Sequence, residues 1–111
     1  MFGKTVRLSS DDQRWMELTV DRSRSVARVG EGEPFPFNFE HLAFVAFGMA
    51  YQAWGAGSHF IFRNEDGRYS AEFQGPRDRS PALCYLSEAE FRAILEELKP
   101  RTVEKMRAHM L

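Results

Sequence analysis

The sequence predicts a mixed α+β fold, in which an antiparallel sheet of about five strands packs against a buried central helix and a pair of C-terminal helices. Three observations predict it. Apolar and polar residues alternate before position 30, an aromatic-rich segment that is uncharged from Leu42 onward covers 38–54, and a hairpin signal stands at Asp66-Gly67. The expected order is β-β-β-α-β-β-(β)-α-α. The 111 residues can enclose one core, so we expect a single domain over 1–111.

The N-terminal part is predicted to form a three-stranded antiparallel meander. Its strands are expected at Thr5–Leu8, Arg14–Val20 and Ser25–Val29, with turn-prone residues between them. Every second residue of the middle strand is apolar, which is typical of a sheet with one solvated face. The segment Phe35–Phe39 that follows has Phe at every second position, and its prolines favour an extended backbone.

The segment Asn38–Trp54 is predicted to be one long helix. Asn38 suits the N-cap, Glu40 suits the first turn, and the glycines at 55 and 57 suit the end of a helix. At helical spacing the segment is apolar on almost every side, with an alanine strip between an aliphatic stripe and an aromatic face. The aromatic face, a candidate binding surface, carries Phe44, Phe47, Tyr51 and Trp54.

A helix that is apolar all round must be enclosed by the fold or covered by another molecule. Since a small domain buries only part of its surface, we expect either burial against the sheet or a contact with a partner across this helix. The alanine strip lets a second backbone approach closely, so a homodimer across the helix is one form of this prediction.

The clearest local signal is the hairpin formed by His59–Asn64 and Arg68–Gln74 around Asp66-Gly67. A continuous apolar face requires an even number of loop residues, either two or four. A short strand is expected at Ala82–Leu86. A capping box formed by Ser87 and Glu90 then begins a helix over 88–99, and Thr102–Leu111 is predicted to be a second helical piece.

Composition argues against several functions. The net charge is −1, which offers no general attraction to nucleic acid or to an anionic membrane, although twelve of the fifteen basic residues are Arg. One Cys excludes an intramolecular disulfide. The uncharged block at 42–62 is interrupted by glycines, and the start resembles no signal peptide. We therefore expect a cytoplasmic protein without a membrane span.

Motifs for catalysis or cofactor binding are absent from the sequence. It contains no phosphate-binding loop, paired-His zinc signature or Ser nucleophile elbow, so we expect no enzyme, no cofactor and no metal site. Glu31 and Glu33 alone make a poor metal cage. Cys84 lies in an apolar run and is expected to be a structural thiol. Arg77 and Arg79 form a candidate anion contact in a charged loop.

Three functional classes remain open. The first is a non-catalytic protein-binding module, such as an inhibitor, an immunity-type protein or a small chaperone, acting through the central helix or a sheet face. The alternative is a small-molecule-binding domain or small enzyme with an aromatic-lined pocket, in which His41, Tyr51 and Trp54 would be the lining residues. The third is a nucleic-acid binder using arginines, and the acidic residues among them argue against it.

The predicted element order is similar to that of the class I type III secretion chaperones. These chaperones are dimeric binders of other proteins, so the resemblance implies a dimer with a protein partner. The chain departs from their pattern because it lacks their leading helix and their strong acidity. The resemblance is one of topology alone, without a shared motif.

Overall fold

The computed structural model describes residues 3–22 and 24–100, and contains two antiparallel sheets, each a meander of four strands in chain order. The predicted helical piece Thr102–Leu111 lies outside the described residues. The first sheet contains β1 (Lys4–Ser9), β2 (Trp15–Asp21), β3 (Arg24–Val29) and β4 (Phe35–Pro36). The second contains β5 (Tyr51–Gly55), β6 (Ser58–Glu65), β7 (Arg68–Gln74) and β8 (Ala82–Leu86).

The predicted N-terminal meander is confirmed. Most of its strand ends are shifted by one residue from the predicted positions. Strand β2 alternates as expected, because its apolar residues Met16, Leu18 and Val20 are buried and their neighbours are half-buried. A fourth short strand, β4, pairs Phe35 with Ala27 at the edge of this sheet. Phe35 and Phe37 are both buried, as the alternation of Phe residues predicts.

The predicted long helix over Asn38–Trp54 is wrong. The helix α1 (Phe39–Ala43) is followed by a 3-10 turn over Phe44–Phe47, and Gly48 then ends the helical backbone in the left-handed region with φ 89°. The residues beyond it form β5, because pairing with β6 satisfies their backbone groups along a whole strand. The alanine strip that suggested a dimer contact therefore does not form.

The glycines at 55 and 57 belong to a hairpin turn between β5 and β6, where we expected the end of a helix. Ala56 and Gly57 both have positive φ, at 52° and 78°, as a two-residue type I′ turn requires. The hairpin at Asp66-Gly67 is confirmed with a two-residue loop, and its register places Phe60 opposite Phe73 and Phe62 opposite Ala71.

The C-terminal helix α2 (Glu88–Leu98) begins with the predicted capping box. The Ser87 hydroxyl accepts a hydrogen bond from the Glu90 N–H at 3.0 Å, and the Ser87 N–H donates to Glu90 Oε1 at 2.9 Å. Its buried face packs into the core beside both sheets, and the Phe91 ring stacks on Tyr69 with centroids 4.7 Å apart.

A single cluster of buried side chains is shared by the two sheets and α2. The sheets meet where β4 faces β5 and β6, and the rings of Phe35 and Phe37 lie 6.0 and 5.9 Å from that of Phe60. The α+β class is thus right, but among residues 3–22 and 24–100 eight strands in two sheets replace the expected single sheet of about five strands. The element order also departs from the chaperone-like order. The resemblance depended on a long central helix, whereas α1 has only about one and a half turns and the chain continues through the 3-10 turn into β5.

Candidate functional site

Four large apolar side chains from the segment 44–54 are exposed, and we call them the apolar surface. Phe47 is 80% exposed, Trp54 71%, Met49 57% and Phe44 47%. Three of them were predicted as binding residues, and Met49 was not. Exposed rings of this size are unusual on a small domain in which the other Phe residues with described positions are buried or half-buried.

The 3-10 turn that carries Phe44 and Phe47 is anchored to the core from below. Leu42 near the end of α1 and Val45 in the turn are fully buried, and the backbone that points them inward directs the two rings to solvent. The Asn64 side chain donates from Nδ2 to the Val45 carbonyl oxygen at 3.1 Å and accepts the Gly67 N–H at 2.9 Å. These bonds tie the turn to the β6–β7 hairpin.

Tyr51, a predicted binding residue, is half-buried and has a structural contact. Its hydroxyl accepts a hydrogen bond from the Asn38 N–H at 2.7 Å, and its ring packs edge-on against Phe60 at 5.8 Å. His41 lies between Tyr51, at 5.9 Å, and Phe44, at 6.4 Å. A chain of rings therefore connects the exposed Phe44 to the core.

Trp54 projects from the outer face of β5, away from the core. Its strand neighbour Ala53 points inward and is buried, as the period of two requires. Trp54 pairs in register with His59 on β6. Because Trp54 faces outward while Tyr51 is tied to Asn38, the residues His41, Tyr51 and Trp54 do not line a common pocket in the way that the aromatic-pocket alternative supposed.

The predicted anion contacts, Arg77 and Arg79, both lie exposed in the β7–β8 loop, and only Arg77 lines a groove. This open groove of about 560 Å³ lies where four loops meet, and its charged lining residues are of both signs: Arg14, Glu31, Glu33, Arg77 and Asp78. Trp15 is its one aromatic residue. Mixed charge makes the groove a weak anion site, and Arg79 is not part of it.

Arg14 holds this loop cluster together. Its guanidinium donates to the carbonyl oxygens of Ser80 at 2.6 Å and Pro81 at 3.2 Å, and it pairs with Asp12 at 2.8 Å. Hydrogen bonds from Arg14, and then from Ser10, hold the pKa of the Asp12 carboxyl well below its usual range. The contacts join the β1–β2 loop of one sheet to the start of β8 in the other.

Sequence reasoning missed two further exposed apolar residues, Leu83 and Tyr85, on the outer face of β8. The alternation in that strand is the signal that could have predicted their exposure, because Ala82 and Leu86 point inward and the residues between them alternate. Cys84 is half-buried, and burial raises the pKa of its thiol, which suits a structural role. Among the residues with described positions, no three His, Cys, Asp or Glu side chains converge in a way that could hold a metal ion.

Comparison of the chain with models of protein families, with curated proteins and with solved structures found no match. In the part of the chain that the structure describes, neither helix has the length and apolarity needed to cross a membrane.

Proposed function

We propose that this chain is a non-catalytic protein-binding module, of the inhibitor, immunity-type or small-chaperone kind, and that its binding site is the apolar surface. The observation that carries the proposal is the exposure of Phe44, Phe47, Met49 and Trp54 above a rigid base. Phe, Trp and Met are the residue types enriched in the cores of protein interfaces.

The turn is a suitable anchor because its backbone is ordered before any partner arrives. Leu42, Val45 and the Asn64 side chain fix it, so a partner would not need to immobilise a loop on binding. Covering an exposed Phe or Trp side chain contributes roughly 1.5–3 kcal/mol, and such residues act as hot spots when they fill a pocket. The fitting partner is therefore a protein with an apolar groove.

No formal charge lies in the segment 44–54, so binding through it would depend on apolar contact. Its affinity should change little between low and moderate salt, unlike that of an arginine-mediated contact with nucleic acid. Glu17 also pairs with Arg7 and with Arg28, each at 3.0 Å, which reduces the positive charge that this part of the sheet could offer to nucleic acid.

The test is quantitative affinity purification with the full chain as bait, comparing the unchanged protein with Phe47→Ser and Trp54→Ser. We expect one dominant protein whose recovery falls at least about tenfold with either variant, since hot-spot truncation costs about 2 kcal/mol or more. Gln52→Ser is the matched control, because Gln52 is exposed on the same strand as Trp54. Equal recovery by bait and variants, or no enriched protein at all, would contradict the proposal.

A further inference from the structure

Strand β8 is an edge strand with an open side. It pairs with β7 on one side, and no strand among residues 3–22 and 24–100 pairs with the other. Its sequence, ALCYL, contains no charged residue, proline or glycine. Leu83 is 40% exposed and Tyr85 is 56% exposed on its outer face. An uncharged, apolar edge of this kind presents backbone N–H and C=O groups to which another strand can bind.

Two of the other three sheet edges, β1 and β4, are protected. Strand β1 carries Lys4 and Arg7 and packs against α2. Strand β4 is two residues long and includes Pro36, which cannot donate a hydrogen bond. Strand β5 is uncharged like β8 but ends in Gly55, whose inner side contacts Phe35 of β4. Charge, proline and short length are among the usual ways in which proteins block edge pairing, and β8, five residues long, has none of them.

Both ends of β8 are held in place. Before the strand, Arg14 binds the carbonyl oxygens of Ser80 and Pro81. After it, the capping box of Ser87 and Glu90 fixes the turn into α2. The open edge is therefore already extended and ordered, which lowers the entropy cost of adding a strand.

We propose that β8 pairs antiparallel with β8 of a second copy of this chain, about a two-fold axis at Cys84. The two four-stranded sheets would then form one continuous eight-stranded sheet. In two-fold pairing the residue on the axis faces itself and every other residue faces its mirror position, so a strand without charged residues brings no like charges together. This strand carries no charge, and in that respect it is complementary to itself.

The register follows from the two faces of the sheet. Residues that face each other across the two-fold axis must point to the same face of the joined sheet. Because side chains alternate between the two faces, the axis must then pass through a residue and not between two residues. Centring on Leu83 would bring Pro81 into the ladder, and centring on Tyr85 would bring in Glu88, the first residue of α2. Only centring on Cys84 uses all five strand residues and no others.

In this register the exposed apolar residues cover one another. Leu83 of each copy lies opposite Tyr85 of the other on the outer face, and Cys84 lies opposite Cys84. Directly opposed residues have Cβ atoms about 4.5–5.5 Å apart, so the only cysteine of the chain reports on the pairing. The dimer does not depend on the apolar surface, since Trp54 lies on β5 at the opposite edge of the same sheet.

The first test is the mass of the full chain by sedimentation across a concentration series from micromolar to millimolar. We expect a monomer–dimer equilibrium whose dissociation constant rises by about tenfold or more in Leu83→Lys, because an edge lysine blocks pairing. Tyr85→Lys is the second variant, and circular dichroism checks that both fold. Trp54→Lys, an exposed apolar residue on the other edge, is the matched control and should leave the equilibrium unchanged.

The second test is coupling through Cys84 with a short bis-maleimide at mildly alkaline pH, which offsets the raised pKa of this thiol. A covalent dimer is expected from the unchanged chain and much less from Leu83→Lys. A monomer at every concentration overturns the proposal. So does a dimer that resists both lysine variants and does not couple at Cys84, or a monomer whose β8 binds a strand from a different protein.

Discussion

Gly55 in β5 lies directly against Phe35 in β4, and this contact sets how closely the two sheets approach. A Cβ atom on Gly55 would stand 2.6 Å from Phe35 Cβ and 3.4 Å from Phe35 Cγ. Real Cβ atoms do not come that close, so β4 can pack on β5 in this way only because residue 55 is glycine and has no Cβ atom. Phe35 is buried in this position and its ring reaches Phe60 at 6.0 Å.

Replacing Gly55 by Ala should therefore destabilise the fold by about 1–3 kcal/mol, the usual cost of forcing extra atoms into a packed core. The measurement is the free energy of unfolding from urea denaturation. Gln52→Ala is the control, since Gln52 is exposed on the same strand and its loss should change stability by less than about 0.5 kcal/mol. Equal stability of Gly55→Ala and the unchanged chain would show that β4 moves freely away from β5.

Substitutions of Asn64 should separate the effects of the two hydrogen bonds that its side chain makes. In Asn64→Asp the carboxylate can still accept the Gly67 N–H, but it can no longer donate to the Val45 carbonyl oxygen. We expect a loss of about 1 kcal/mol, the typical worth of such a bond, and faster amide hydrogen exchange at Gly48, whose N–H bonds to the same carbonyl. Asn64→Ala should also expose the Gly67 N–H. Unchanged exchange at Gly48 in both variants would mean that Asn64 does not hold the 3-10 turn.

Glu17 should make stability depend on pH in the acid range. Hydrogen bonds from Arg28, and then from Arg7, lower the pKa of Glu17 in the folded chain below its ordinary value of 4.5. The unfolded chain then binds more protons in acid, so this stabilisation is fully present above pH 4.5 and is lost as the pH falls through the folded pKa.

The Glu17→Gln variant tests this relationship, because it keeps the shape of the side chain and removes its titration. Urea midpoints at neutral pH and at a pH below the ordinary carboxyl range should differ less in Glu17→Gln than in the unchanged chain. Glu96→Gln, at an exposed position of α2, controls for the loss of one negative charge. The same acid loss in Glu17→Gln and in the unchanged chain would contradict the role of the arginine pairs.

Ser58 should tolerate the loss of its hydroxyl. The side chain is buried on the inner face of β6, and its Oγ atom has no hydrogen-bond partner among the described residues. Because an unpaired buried polar group is costly, Ser58→Ala should be as stable as the unchanged chain or more stable by up to about 1 kcal/mol. Ser70→Ala, at a half-buried position on the outer face of β7, is the comparison. A clear loss of stability in Ser58→Ala alone would reveal a bound water or another partner at this hydroxyl.

The features that the sequence predicted correctly are local ones. The Asp66-Gly67 turn needs positive φ at both positions, and those residue types provide it at low cost. The capping box of Ser87 and Glu90 is satisfied within four residues. The strands of the N-terminal meander alternate because one face of a sheet meets the core. Each of these features depends on neighbours along the chain, so periodicity and turn chemistry are sufficient to predict it.

The path of the chain from Gly48 to Trp54 depends on its pairing with β6 and on the contact of Tyr51 with Asn38, and only the tertiary structure decided it. An all-round apolar segment fits a buried helix and an edge strand equally well, since neither period leaves a polar face to distinguish them. Pairing with β6 resolved the ambiguity, and it turned Trp54 outward and tied Tyr51 to Asn38. For the same reason the sequence by itself identified aromatic residues as the candidate site, whereas the tertiary structure determined their exposure: the 3-10 turn exposes Phe44 and Phe47, and the pairing of β5 with β6 turns Trp54 outward.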